Sequence, residues 1–259
     1  MASKSKDMRD LPIDESVTFR PTRILYLRTL AATNQHSEIL DLTARLHALF
    51  HEDITPEFQE LAQSTLRANP VFPPVWAING EAKFVASHLT VVDTPSSTAE
   101  REPGMETSSS IAEIRTHLLN FGTVHIIFPA GSTHSVHEIK VEPLSHRSRA
   151  QMFTKDSVAY VWDTSSHAPS SRASASGFSK DSTFWGKPMA LSGRLSLCKA
   201  VAGKRFEVGR YESASGKFEL GGLLVVDDRE VDILVAALTL VAVLGQNDSF
   251  LAPGLDLKG

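Results

Sequence analysis

The apolar run at residues 231–244, near the C-terminal end, constrains the fold more than any other feature of the chain. It reads VDILVAALTLVAVL, so that Asp232 and Thr239 are its only polar residues. A helix that is apolar on all sides has no stripe to present to water and must be enclosed. A bilayer span needs about 20 apolar residues, and shorter runs are more often buried core helices. The sequence therefore predicts a helix over 231–244 that is enclosed by protein and is not a transmembrane segment.

Composition places the chain among ordinary globular proteins. It has 259 residues, of which 42% are hydrophobic and 22% charged, enough for one large domain with or without a smaller appendage. The formal net charge of −4 argues against a general nucleic-acid binder. A single cysteine, Cys198, excludes an internal disulfide, and the first ten residues lack the apolar stretch of a signal peptide. We therefore predict a cytoplasmic location, with a nuclear or peripheral membrane location as alternatives.

The first 70 residues carry helical signals. Residues 1–16 are polar and predict a disordered tail, whereas residues 17–70 predict a helical segment. The apolar spacing within residues 24–30 suggests a short amphipathic helix.

Two further helix starts follow in this segment. Ser37 has the chemistry of an N-cap for a helix that reaches about His51. Thr55 and Pro56 predict another helix, which ends near Arg67.

The chain from residue 71 to residue 230 predicts about nine short strands. Two stretches rich in proline or serine, at 93–110 and 164–182, predict mobile loops, and residues 247–259 predict a tail. Residues 111–119 suit a short helix or an edge strand, and the helix is favoured. Asn79 and Gly80 predict a turn between two strands. The predicted strands are 75–78, 83–92, 123–128, 136–141, 150–153, 158–162, 189–201, 205–211 and 217–226.

The strands and the last helix carry a series of short aromatic and aliphatic motifs. In chain order these are VAYVW at 158–162, FWG at 184–186, LSLCK at 195–199, FEVGRY at 206–211, GKFEL at 216–220 and VDILVAAL at 231–238. This order resembles the tubby C-terminal-like superfamily, which includes phospholipid scramblases and LURP-one-related proteins, and it is similar above all to the divergent fungal branch of that superfamily. The resemblance covers roughly residues 71–246.

The resemblance implies a closed antiparallel barrel of about twelve strands that is threaded by the last helix. The nine predicted strands and the helices before residue 70 depart from that pattern. The superfamily's phosphoinositide-binding and calcium-binding residues find no matching motif in this chain. The expected fold class is α+β, mainly β. It comprises a barrel over 71–246, a central C-terminal apolar helix and an N-terminal helical segment.

One stretch of the sequence concentrates basic residues. His146, Arg147 and Arg149 are neighbours, and Lys140 and Lys155 lie on either side of them. Such a group can contact a phosphate or an anionic lipid surface, and a solvated loop is the alternative. We therefore take Lys140, Arg147, Arg149 and Lys155 as candidate contacts for an anion or lipid.

Half of the ten histidines cluster in the middle of the chain. Imidazole and carboxylate groups bind zinc, and His134, His137 and Glu138 are close enough in sequence to supply three ligands. Side chains three apart in a strand face opposite sides, however, and no cysteine pair or H-E-x-x-H motif accompanies them. No metal site is predicted. A metal-dependent hydrolase using residues 117–146 remains an alternative function. The five histidines are His117, His125, His134, His137 and His146.

The sequence contains no catalytic motif. It lacks a G-x-S-x-G elbow, a P-loop and a G-x-G-x-x-G loop. Cys198 is predicted to be a small buried residue and not a nucleophile. Trp76, Trp162 and Trp185 are predicted to fill the barrel wall or core. We therefore predict no catalytic residue and no cofactor.

These patterns favour a non-catalytic binding or scaffold protein that acts through its outer surface, since a core filled by its own helix leaves little room for a substrate. The partner would be another protein or an anionic membrane surface, and the lipid part of this expectation rests on the family alone. A further alternative is an interaction protein whose N-terminal helices, within residues 37–67, dock on a partner.

Overall fold

The computed structural model describes residues 8, 11–14, 16–29, 36–51, 53–69, 71–82, 86–94, 110–117, 122–145, 150–163, 194–214 and 221–246. Within them, twelve strands form one closed barrel. Each strand pairs antiparallel with the strands before and after it in the chain, and β12 pairs with β1 to close the barrel. The predicted mainly β fold with a closed antiparallel barrel is confirmed.

The barrel strands are short and follow one another around the wall. Three α-helices accompany them: α1 (Thr43–Leu46), α2 (Pro56–Ala68) and α3 (Ile233–Gln246), with a 3₁₀ turn at His47–Leu49. The strands are β1 (Arg23–Thr29), β2 (His36–Asp41), β3 (Trp76–Ala82), β4 (Ala86–Asp93), β5 (Ser110–His117), β6 (Val124–Ile127), β7 (Ile139–Pro143), β8 (Gln151–Lys155), β9 (Val158–Asp163), β10 (Arg194–Val201), β11 (Lys204–Ser213) and β12 (Gly221–Val226).

One large hydrophobic cluster joins the barrel wall to α3. All twelve strands contribute buried side chains to it, as do residues 234–238 and 240–244 of α3. Trp76 and Trp162 belong to the cluster, which confirms the prediction for these two tryptophans, whereas Trp185 lies outside the described residues. The buried indole of Trp162 donates a hydrogen bond to Thr239 Oγ1 at 3.1 Å. Thr239, the one polar side chain in the middle of α3, is thereby paired.

A second hydrophobic cluster lies on the other face of three strands. Ile24 and Tyr26 of β1 alternate with Leu25 and Leu27, which belong to the first cluster. Phe58, Ala62 and Leu66 of α2 pack in the second cluster, with further residues of β2 and β12. Both faces of β12, β1 and β2 are therefore covered by apolar groups.

This double burial explains why the predictions for the N-terminal segment are wrong. Residues 23–29 and 36–41 form barrel strands, not helices, so the barrel begins well before residue 71. In a strand that is buried on both faces, apolar residues follow one another without interruption. The alternation of apolar and polar residues that marks a half-buried strand is therefore absent. The helix predicted at Thr55 does form, as α2: the Thr55 hydroxyl accepts a hydrogen bond from the Phe58 amide at 3.2 Å.

Two predictions in the central part of the chain also need correction. Residues 111–117 belong to β5, where buried Ala112 and Ile114 alternate with Glu113 and Arg115, and they form no helix. Asn79 and Gly80 lie inside β3 instead of forming a turn. A Cβ at Gly80 would overlap the side chain of Leu89 on β4, so glycine is required there by the close approach of two strands.

Residues 12–14 pair with β11, so this part of residues 1–16 is no disordered tail. The Asp14 amide donates to the Arg205 carbonyl at 2.8 Å, and the Arg205 amide donates to the Pro12 carbonyl at 3.0 Å. The described residues do not include the predicted loop at 164–182, most of the loop at 93–110, or the tail at 247–259.

The N-cap of α3 is Asp232, and the acidic residues 227, 228 and 230 that precede it form ion pairs of their own. Asp232 Oδ1 accepts a hydrogen bond from the Val235 amide at 2.9 Å. Asp228 instead accepts from Arg23 at 2.7 Å, and Glu230 pairs with Lys199 at 3.0 Å. Across the described residues, no helix has both the length and the apolar character that crossing a membrane would require.

Candidate functional site

Half of the predicted basic patch lies within the described residues. Lys140 is exposed on β7, directly opposite His125 of β6. Lys155 ends β8, and its ammonium group pairs with Asp156 at 2.7 Å, which offsets its charge. Arg147 and Arg149 lie outside the described residues. Lys140 is therefore the described member of the patch that offers an unbalanced charge.

Two histidines of the central region, His125 and His134, bind separate carboxylates. His125 Nδ1 lies 2.5 Å from Glu138 Oε1, whereas His134 Nδ1 lies 3.0 Å from Asp232 Oδ2 at the start of α3. His134 and Glu138, two of the three candidate zinc ligands, thus contact different partners. Within the described part of the chain, no three histidine, cysteine or acidic side chains are grouped to hold a metal ion. His146 and the side chain of His117 lie outside this description.

Cys198 is buried on β10, as predicted, and burial raises the pKa of its thiol to about 12. Thiol chemistry proceeds through the thiolate, so this side chain should be inert in the folded protein. We expect negligible labelling of the native chain by an aromatic disulfide reagent at pH 8, and complete labelling after unfolding in guanidinium. Labelling of the native chain at the rate of a free peptide thiol would contradict this assignment.

An open cleft of about 560 Å³ lies on the outside of the barrel, where several elements meet. One side is formed by residues 18–21, which lead into β1, and another by the 3₁₀ turn and the residues that follow it. Arg210 of β11 completes the lining. The pairing of β11 with β12 and of β12 with β1 brings these distant segments together. The lining residues are Thr18, Phe19, Arg20, Pro21, His47, Phe50, His51 and Arg210.

The described residues that line the cleft are rich in guanidinium and imidazole groups, and none of them is a carboxylate. Four of its eight residues carry a guanidinium or imidazole group. Arg20 and His51 are exposed, and their side chains have no hydrogen-bond or ion-pair partner among the residues that the structure describes. His47 Nε2 lies 3.2 Å from the Pro21 carbonyl oxygen, which can only accept, so this nitrogen carries the proton. The cleft therefore offers donors and positive charge to a ligand.

Arg210 is held in place by an ion-pair network behind the cleft. Its Nε donates to Glu207 at 2.9 Å, and its Nη1 donates to Asp53 at 2.8 Å. Arg194 also pairs with Asp53, through Nη1 at 2.7 Å. Burial lowers the pKa of Arg210, but the contacts with Glu207 and Asp53 raise it by more, so the guanidinium remains charged. The Phe19 ring lies 5.3 Å from that guanidinium, in cation–π contact.

Sequence reasoning missed this cleft because its residues are far apart in the chain. Arg20 and Arg210 are separated by most of the chain in sequence, and neither forms part of a local basic cluster. The closure of β12 on β1 brings them together, and no motif signals it. In comparisons with protein-family models, with curated proteins and with solved structures, no match to this chain was found.

Proposed function

We propose that this chain is a non-catalytic binding or scaffold protein that contacts an anionic partner, either a lipid surface or an acidic protein surface, through the outside of its barrel. The observation that carries this proposal is one hydrophobic cluster that joins buried side chains of all twelve strands to α3. A closed wall packed on apolar groups leaves a ligand only the outer surface, where the basic cleft lies.

The proposal includes the position of α3 along the barrel axis. Strands from every part of the wall share a cluster with this helix, as expected if they surround it. Two hydrogen bonds support the arrangement. Trp162 of β9 donates to Thr239, and the Tyr160 hydroxyl donates to the Glu230 carbonyl just before the helix, at 3.0 Å.

Relationship to the tubby C-terminal-like superfamily is likewise a proposal. The expected fold of that family, a closed antiparallel barrel of about twelve strands followed by an apolar helix, agrees with the twelve-strand barrel and with α3. The three strands that the sequence did not reveal are β1, β2 and β5. The lipid part of the proposed function depends on this relationship.

No specific observation supports either alternative function, the metal-dependent hydrolase or the interaction protein that acts through its N-terminal helices. His125 and His134, in the middle of the chain, pair with separate carboxylates, as described above. The apolar face of α2, which an interaction protein would use, packs instead on β1, β2 and β12 of its own barrel.

Binding to lipid vesicles tests the lipid contact. We expect the wild-type chain to cosediment with phosphatidylcholine vesicles only when they contain phosphatidylserine, and less so at high salt. The Lys140→Glu/Arg149→Glu variant should bind at least about tenfold more weakly, because each basic residue near such a surface contributes about 1 kcal/mol.

The double variant Arg45→Glu/Lys204→Glu makes the same change of charge at other exposed positions and serves as the control. It should retain most of the binding. Equal binding by both double variants would show that Lys140 and Arg149 are not part of the contact. If phosphatidylserine does not increase the cosedimentation of the wild-type chain with vesicles, the lipid contact itself is contradicted.

A further inference from the structure

We propose that the outer cleft is a binding site for a phosphate monoester attached to a small apolar or aromatic group. This inference rests on the proposed function, because it identifies the chemistry of an anion that binds to the outer surface. It concerns a different part of that surface from the Lys140 patch, so the two can be tested independently.

The charge of the lining favours a phosphate. Arg20 and His51 carry donors at the surface of the cleft that have no partner among the described residues, and His47 adds a ring anchored to the Pro21 carbonyl. A phosphate monoester brings up to two negative charges and three acceptor oxygens, enough to meet several donors at once. A carboxylate has two oxygens and one charge, and it would leave more of these donors without a partner. Guanidinium groups also match the geometry of phosphate oxygens.

The described carboxylates that contact Arg210 do not compete for the ligand. Asp53 and Glu207 contact Arg210 from behind, and neither lines the cleft. Their bonds to Arg210 hold the guanidinium in one position, so that little ordering is needed when an anion arrives. Arg20 is exposed and supplies the charge that an entering anion meets first.

The rest of the lining accounts for the apolar part of the ligand. Phe19 and Phe50 are partly buried against the second hydrophobic cluster, and both line the cleft. The volume of about 560 Å³ falls in the range of small-molecule sites, roughly 300–1,000 Å³. A bare phosphate ion would fill little of this space and would not cover the two rings. A phosphate joined to a ring or a short apolar group fits both parts of the lining.

Phenyl phosphate is a suitable probe, because it carries one phosphate and one ring. We expect it to shift the amide NMR signals of residues 18–20, 47 and 51 in the intact chain, with a Kd on the order of a millimolar, as is usual for so small a ligand. Inorganic phosphate and phenol, which each lack one half of the probe, should bind several-fold more weakly. Benzoate should also bind more weakly, because it offers a single charge.

The Arg20→Gln variant tests whether Arg20 supplies positive charge to the bound phosphate. Since this side chain is exposed and has no partner in the described residues, the chain should fold normally. Phenyl phosphate should bind to it roughly tenfold more weakly, as expected for the loss of a charged hydrogen bond. His47→Gln keeps a donor for the Pro21 carbonyl and removes the imidazole, and it should weaken binding less. Arg115→Gln, on β5, is the matched control and should bind like wild type.

Vesicles that contain phosphatidic acid distinguish a lipid headgroup from a soluble phosphate ester. Binding to these vesicles that is lost in Arg20→Gln, without binding of phenyl phosphate, would assign the phosphate to a lipid. The reverse result would assign it to a soluble metabolite, and both results support the phosphate site. The inference is overturned if neither probe perturbs the cleft residues, if phenol or benzoate binds as tightly as phenyl phosphate, or if Arg20→Gln has no effect. The proposed function would not be contradicted by such a failure, provided that phosphatidylserine vesicles still bind through Lys140 and Arg149.

Discussion

Replacing Leu238 by aspartate is expected to unfold the chain. Leu238 lies in the middle of α3 and is fully buried. The substitution removes a large apolar side chain and places a carboxylate among apolar groups. The loss of a buried leucine alone costs about 2–5 kcal/mol, and burial of an unpaired charge adds several more. Typical domains have a total stability of about 5–15 kcal/mol, so little or none would remain. Circular dichroism and urea denaturation measure the effect.

Val136→Asp provides the control for Leu238→Asp. It also replaces an aliphatic side chain by a carboxylate, but Val136 is 74% exposed, and its substitution should change the free energy of unfolding by less than about 0.5 kcal/mol. Ala237→Asp, in the same turn of α3, should behave like Leu238→Asp because Ala237 is also fully buried. A folded Leu238→Asp chain with its helix accessible to protease would contradict the proposed enclosure of α3.

Substitution of Gly222 by alanine is expected to be the next most damaging change. A Cβ at this position would lie 2.5 Å from the carbonyl oxygen of Glu212 and 2.5 Å from the Tyr211 ring. Both belong to β11, the neighbouring strand, and Tyr211 is buried in the large cluster. The ring and the strand backbone would have to move, and overpacking of this kind costs about 1–3 kcal/mol or more. Thermal and urea denaturation would measure the loss.

Gly209→Ala is the matched control for Gly222→Ala. Gly209 also lies in a barrel strand, but a Cβ there would meet its nearest neighbour, the Leu197 Cβ, at 3.3 Å. A shift of a few tenths of an ångström would relieve that contact, so the effect should be clearly smaller. Equal destabilisation by the two alanines would show that the close approach of Tyr211 and the Glu212 carbonyl to Gly222 does not determine the result.

The parts of the fold that were predicted correctly have a signal that is local in sequence. The run at 231–244 has almost no polar position, and the helix forms there and is buried. At Thr55 the hydroxyl, the following proline and the apolar spacing all indicate a helix start, and α2 begins at Pro56. Cys198 follows Leu197 within a predicted strand and is buried as expected.

The wrong predictions occur where burial depends on distant partners. The apolar spacing within residues 24–30 predicts a short amphipathic helix, but residues 23–29 form β1. They form a strand because β12 and β2 supply its hydrogen bonds, while α2 and the barrel interior cover its two faces. Asp228 likewise has a distant partner, because it accepts a hydrogen bond from Arg23 across the closure of the barrel. The cleft has the same origin, since Arg20 and Arg210 become neighbours only when that closure forms.

The sequence by itself determined that this chain is mainly β, that an apolar helix near its end must be buried, and that no familiar catalytic motif is present. These properties follow from composition, periodicity and short motifs, which act over a few residues. Only the tertiary structure decided how many strands close the barrel, which face α2 covers and where basic side chains converge. Those outcomes depend on pairing between β1 and β12, almost 200 residues apart in the chain, and no local pattern encodes such a contact.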